Sequence, residues 1–268
     1  MKSHKETVRS KSEEKKGKED TDTKEDNMKI IALIMAFFLS CGVSFAEIHI
    51  SDFGGFPNGS DTSPALKAAS IAACNGKQRV ISLDAGRYEF LTPPDPLNCG
   101  ISLKGQGVWQ SYLVRQYSEG EFLIFHGELG GGLRDLTVYA GQGTSGGVAV
   151  HVQASDFLGP VGNQVFQNVV IDGDGTWALP LFLDGWQRTQ SPAGVRTVFL
   201  QNVKVFNATW WAVEWWGAIG CEWFGGGAWQ GGGTTQAIAV GGPMSTGNRI
   251  DAMIDWSTST IWEGSLRR

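Results

Sequence analysis

A six-residue unit recurs three times along the chain at nearly constant spacing. Leu133-Arg134-Asp135-Leu136-Thr137-Val138 returns as Phe166-Gln167-Asn168-Val169-Val170-Ile171 and again as Leu200-Gln201-Asn202-Val203-Lys204-Val205. Asp135, Asn168 and Asn202 therefore follow one another at 33 and 34 residues. Such a unit cannot bury its apolar face alone, so self-similarity at this period marks a chain wound into stacked coils, one repeat to a coil. Glycine is abundant at 37 residues, charged residues make up 18%, and no long amphipathic helix follows Ala73, which together predict an all-β chain of many short strands. The 47–268 stretch is long enough for one domain with a full core, and nothing in it reads as an interdomain linker.

The first 46 residues are set apart from that fold. Residues 1–27 are almost wholly polar and charged, with no apolar periodicity, and read as a disordered leader or an untranslated upstream stretch. Met28-Lys29, the apolar run Ile30 to Leu39 and the small-x-small end Ser44-Phe45-Ala46 make 28–46 a signal peptide, with Glu47 as the mature N-terminus. The apolar run is short for a spanning helix, and Phe38-Leu39-Ser40 is a poor lipobox for acylation of Cys41. The expectation is a secreted or periplasmic protein with no stable membrane insertion after cleavage. Beyond residue 46 acidic residues outnumber basic ones, so the mature surface disfavours nucleic acid as a partner.

Residues 52 to 107 read as the entrance to the coils. Ser60 to Ser63 offers N-cap oxygens, Pro64 suits a first helical turn, and Ala65 to Ala73 is one short helix ended by Cys74-Asn75-Gly76. Two β-rich segments follow, divided by Ala85-Gly86 and by Pro93, Pro94 and Pro96. Asp52-Phe53-Gly54-Gly55, Asn58-Gly59, Asp61-Thr62 and Leu103-Lys104-Gly105-Gln106-Gly107 stand where the N-terminal part of the pectate-lyase-like superfamily carries its opening motifs, and the stretch resembles that family. The resemblance implies a right-handed, single-stranded parallel β-helix with a short N-terminal capping α-helix, and a polysaccharide as partner. It does not fix a reaction. Of the cysteines beyond residue 46, Cys74 at the end of the cap helix and Cys99 on the next turn of chain are expected to form a disulfide, worth about 3.5 kcal/mol on the loop-entropy model. Cys221 is then a buried free thiol. The alternative is that all three are small core residues.

In the resembling family an asparagine often occupies the tight turn between the second and third strands of each coil and stacks along the axis. Asn168 and Asn202 fit such a ladder, with Asp135 beginning it. Fixing that turn puts Gly147 to Gln153, Leu179 to Asp184, Ala212 to Trp216 and Ala237 to Val240 in the sheet that carries the substrate groove in pectate lyases and polygalacturonases. Alternation then sends Val150, Val152, Leu181, Leu183, Val213, Trp215, Ile238 and Val240 inward. It leaves His151, Phe182, Glu214 and Ala239 in one outward column and Gln153, Asp184, Trp216 and Gly241 in the next. Turns beside the sheet carry Asp172, Asp174 and Trp177 on one side, and Trp186 and Arg188 near the other.

Ten of the eleven tryptophans lie from Trp177 to Trp262, and Trp210-Trp211 and Trp215-Trp216 are adjacent pairs that cannot both face the core from one strand. Exposed indole faces suit sugar rings, and equally suit loop packing or a subunit interface. The polygalacturonase signatures are missing, because the chain has no Asp-Asp pair and no Gly-His-Gly, and the pectate lyase pattern is not recognisable. Asp172-Gly173-Asp174-Gly175 is a turn that could ligate Ca²⁺, and no spacing suggests zinc, so no metal site is assigned. The candidate acid and base are Asp184 and Glu214, roughly 8 Å apart on this register and so in the range of an inverting pair. Asp172 and Asp174 are the next candidates. Trp177 and Trp216 are expected as stacking platforms, with His151, Trp186 and Arg188 as further contacts. Two classes stay open: a polysaccharide hydrolase or lyase, and a silent β-helix that binds glycans or forms a shaft. Asn248-Arg249-Ile250 and Met253-Ile254-Asp255-Trp256 still read as strands with no capping segment after them, which predicts a truncated frame or a homo-oligomer covering that end.

Overall fold

The computed structural model describes residues 47–127, 129–141, 145–155, 160–187, 194–229, 236–241, 245–254 and 262–263. The expectations for 1–27, 28–46 and Arg188 lie outside these residues. No helix among them is long and apolar enough to cross a membrane. Every strand pairing is parallel, and three sheets share the strands. The longest sheet runs in order through Ile48–His49, Val80–Ser82, Ser102–Lys104, Gly131–Ala140, Gln164–Asp172, Phe199–Phe206, Glu222–Trp229 and Arg249–Ile254. The second, called the groove sheet after the expectation from the resemblance, stacks Leu123–Phe125, Val148–Ser155, Leu179–Gln187, Trp211–Trp216, Gln236–Gly241 and Trp262–Glu263. The third is narrow: Val161–Gly162, Val195–Arg196 and Ala218–Ile219. The chain visits the sheets in turn, so the architecture is the right-handed parallel β-helix that the resemblance implied.

The repeat is the coil. Gly131 pairs with Gln164 and Val165 with Phe199, which reproduces the spacings of 33 and 34. Asp135, Asn168 and Asn202 hold left-handed backbone at φ 53°, 51° and 50°, where an Asx side chain can hydrogen-bond locally and a branched residue is strained. Asn168 Nδ2 donates to Asp135 Oδ1 at 2.9 Å, and Asn202 Nδ2 donates to Asn168 Oδ1 at 3.0 Å. A fourth rung escaped the sequence reading. Gly225, at φ 66°, stands opposite Asn202 although Glu222 follows its partner Phe199 by only 23 residues. Glycine keeps the left-handed turn there without a side chain to betray it.

The interior is filled by Val, Leu, Ile and aromatic side chains from all three sheets. At the N-terminal end the helix Ser63–Asn75 lays Ala65, Leu66, Ala69 and Ala73 over that core. Its start uses one of the cap oxygens that Ser60 to Ser63 offers. Thr62 makes no side-chain cap bond; Asp61 does the work, its Oδ1 accepting from the Ser63 and Leu91 amides at 3.1 and 3.0 Å and its Oδ2 from the Thr92 hydroxyl at 2.6 Å. These bonds tie the helix to the first coil. At the other end Cys74 is disulfide-bonded to Cys99, with Cα atoms 5.6 Å apart. Cys221 is buried and free, and burial pushes its thiol up to about 11.

Two outcomes follow for stability and thiol chemistry. Asn168→Ala removes two ladder bonds and places Ala in a left-handed turn, which should cost about 3 kcal/mol, whereas Asn168→Gly, which keeps the turn, should cost about 2 kcal/mol. Thermal unfolding should lower Tm by roughly 2–4 °C per kcal/mol, with Ala below Gly. Equal midpoints for the two variants would show that the turn is not strained. Mass spectrometry of unreduced, alkylated protein should find one Cys74–Cys99 linked pair of peptides and an unmodified Cys221 that reacts only after unfolding.

Candidate functional site

Alternation along the three central strands of the groove sheet decides which side chains reach its outer face. Val150, Val152, Leu181, Leu183, Val213 and Trp215 point into the core and are buried. The register pairs His151 with Phe182, Phe182 with Glu214 and Glu214 with Ala239, and pairs Gln153 with Asp184, Asp184 with Trp216 and Trp216 with Gly241. Both outward columns are thus those expected from the coil spacing. His126, which follows the Phe125–Val152 pair, heads the second column, and its Nε2 lies 2.9 Å from Gln153 Oε1.

A chain of charge crosses these columns. His151 is on the outward side yet only 2% exposed, with its ring stacked on Phe182 at 4.9 Å between centroids. Its Nδ1 lies 2.9 Å from Glu121 Oε1 and its Nε2 lies 3.4 Å from Asp184 Oδ2, the second contact being off the line of an aligned hydrogen bond. Asp184 is 4% exposed and Glu214 is half-buried. Burial works against charge on His151, but Asp184 and Glu121 outweigh it and leave the imidazole more basic than usual. Glu121 is held below the usual carboxylate range by its hydrogen bond to His151, against the opposing effect of burial. Glu214 moves the other way: burial first, and then the charge of Asp184, push its carboxyl up. Two glutamates on one face therefore hold their protons over different ranges of pH.

Glu121 was not found from the sequence. It lies in the turn just before Leu123–Phe125, in a coil that lacks the repeat, and only the closure of that turn, where the Tyr117 hydroxyl donates to the Glu121 carbonyl at 2.7 Å, brings it over His151. Trp177 is a correction. It is fully buried, stacked on Phe122 at 6.1 Å, with the Arg115 guanidinium 3.6 Å above its ring, so it is a core residue and not a platform for sugar. The turn that carries it folds inward because the Thr209 amide and hydroxyl of the next coil bond to the Trp177 carbonyl at 2.8 and 3.0 Å.

Asp172 and Asp174 serve their own turn. Asp172 Oδ1 accepts from the Asp174 amide and from Asn207 Nδ2 at 3.0 and 2.9 Å, and Asp174 Oδ2 accepts from the Tyr139 hydroxyl at 2.9 Å. Among the described residues no three His, Cys, Asp or Glu side chains are grouped as a metal site. Trp186 lies on Leu179–Gln187. Trp216 is half-buried, and the exposed indole expected of the paired tryptophans is that of Trp210, 55% exposed and edge-on to Trp211 at 6.2 Å.

No family model matches the sequence, and neither does any curated protein. Among solved structures the chain is similar to the Agl-KA catalytic domain, with 15% identity and a TM-score of 0.52 over 78% of this chain and 42% of that one. It spans less than half the length of that domain. A more distant likeness is to the A-module of the Azotobacter vinelandii mannuronan C-5 epimerase AlgE4, with 14% identity and a TM-score of 0.30 over 81% of this chain and 100% of that one. The first likeness concerns the fold and agrees with a parallel β-helix.

The placement of the tryptophans separates packing from exposure. Trp177→Ala should destabilise the protein by about 3–5 kcal/mol, the range for a buried aromatic. Trp210→Ala should stay within about 0.5 kcal/mol of the parent. Denaturant melts of both variants measure this, and a mild Trp177→Ala would contradict its place in the core.

Proposed function

We propose that this chain is a polysaccharide-active protein that holds a glycan on the outer face of the groove sheet and cleaves it there, with Glu214 as general acid and Asp184 as general base. The observation that carries this reading is the pair itself. Two carboxyl groups stand on neighbouring strands, one pushed toward its protonated form by burial and by its neighbour, the other facing the His151 imidazole. Splitting two like groups in this way is how one site supplies an acid and a base at one pH. Cleavage would pass the Glu214 proton to the leaving oxygen as its bond to the sugar carbon breaks. Water adds to that carbon and gives its proton to Asp184, and solvent exchange restores both groups. Phe182 and Trp216 flank the pair with ring surface for sugar C–H faces.

The resemblance of residues 52 to 107 to the pectate-lyase-like superfamily supports a polysaccharide as the substrate class. The hydrophobic leader at 28–46 supports export, and the acidic balance beyond it argues against nucleic acid. We also place a homo-oligomer among the proposals, since strand Arg249–Ile254 has only one long-sheet neighbour among the described residues.

Incubation with a panel of neutral and acidic polysaccharides should release reducing ends. Products with new ultraviolet absorbance would identify elimination instead of hydrolysis. Glu214→Gln should lower the rate at least about 100-fold while leaving the fold and glycan binding intact. Because Glu214 must hold its proton, the rate of the parent should fall on the alkaline side at a pH above the usual glutamate range. Full activity in Glu214→Gln would sink the assignment, and binding without cleavage by the parent would favour a non-catalytic glycan-binding β-helix.

A further inference from the structure

Both ring nitrogens of His151 face carboxylate oxygens, Glu121 at 2.9 Å on Nδ1 and Asp184 at 3.4 Å on Nε2. An ionised carboxylate only accepts, and a neutral imidazole donates from one nitrogen and presents a lone pair at the other. A neutral His151 would therefore turn a lone pair toward one of its two acidic neighbours, in a place where almost no water reaches. The imidazolium, with a proton on each nitrogen, donates to Glu121 and sets its positive charge against Asp184, off the line of an aligned hydrogen bond. Its stacking on Phe182 fixes the ring plane, so the two nitrogens cannot swing away independently. The strand neighbours add no competing cation at this distance among the described residues: Phe182 lies beside His151 on one side and Ile124 on the other. Among the described residues, the other titratable groups acting on the cluster include His126, beside Gln153 and acting on Glu121, Tyr117, whose hydroxyl donates to the Glu121 carbonyl, and Glu214, acting with Asp184.

We infer that His151 is a positioning residue that stays protonated at neutral pH, clamped between Glu121 and Asp184 beside Glu214. Glu121 is the anchor of this clamp. It is the more exposed carboxylate of the two, and it secures the imidazolium from the side away from Asp184. That charge stands against Asp184, whose own charge acts on Glu214. The clamp itself rests on contacts of the protein alone. Its consequence for acid and base roles rests on the proposed glycan-cleaving site.

Proton–nitrogen correlation spectra of the full-length protein, recorded from pH 5 to 9 with His151 assigned by His151→Gln, test this directly. His151 should carry protons on both nitrogens and titrate above the free-histidine value of about 6.5. Glu121→Gln, a change at a partly exposed side chain, should lower its proton affinity at least about tenfold, and Asp184→Asn should also lower it. A His151 that is neutral at pH 7 with a bare Nε2, or a midpoint unchanged by Glu121→Gln, overturns the inference. If a cleaved glycan is in hand, His151→Asn should move the acidic limb of the rate profile upward, because the proposed base loses the cation beside it. An unmoved limb overturns the positioning role. The two readings fail separately: a charged His151 in a protein that cleaves no glycan refutes the catalytic reading and leaves the clamp, whereas cleavage with a neutral His151 refutes the clamp.

Discussion

Register is held by the left-handed turn that Asp135, Asn168, Asn202 and Gly225 share across four coils. A strand has period two, so a slip of one residue would turn every inward side chain out and every outward one in. The ladder bonds between Asp135, Asn168 and Asn202 oppose such a slip, because each amide reaches its neighbour only when the turns are stacked. The coils need not be equal for this to work. Glu222 follows Phe199 by 23 residues and Arg249 follows Glu222 by 27, yet the long sheet stays in parallel pairing through both steps. On the second step the pairing shifts register between Phe224 and Gly227. The columns of the groove sheet inherit their alignment from this lock.

What was legible in the sequence was what alternation and period control. Once the turn at Asp135, Asn168 and Asn202 was fixed, the strands of the opposite sheet had one consistent set of inward residues, and His151, Glu214, Asp184 and Trp216 fell on the outer face. Turns carry no such rule. Trp177 reads as a surface aromatic beside acids, but its turn is pulled inward by Thr209, and the indole stacks on Phe122 under the Arg115 guanidinium. Asp172 and Asp174 read as possible ligands, yet the neighbouring coils supply Asn207 and Tyr139 to occupy them. Glu121 had no signal at all, because its role depends on where one irregular turn places it relative to a strand two elements later. Gly225 hid a rung by having no side chain to repeat.

The charged cluster is not something the fold requires. Within the same two columns, neighbouring coils place Phe182, Ala239 and Gly241 at positions equivalent to His151, Glu214 and Asp184, and the sheet continues through them. Apolar or absent side chains are thus compatible with each of these rungs. Burying carboxylates and an imidazole costs desolvation that their mutual attraction often only offsets, and apolar replacements of similar volume are commonly as stable or more so. A stability argument would therefore favour more Phe182 and fewer Asp184.

The cluster instead moves one glutamate up and another down within a few residues' reach of each other, by different means. Glu214 loses water and meets the charge of Asp184; Glu121 keeps a hydrogen bond to His151. Unlike surroundings on neighbouring acids are what the proposed acid–base chemistry draws on. The aromatic flanks fit the same logic. Phe182 packs flat against His151 and is only partly buried. One residue can thus stiffen the charged pair and still reach the outer face of the sheet.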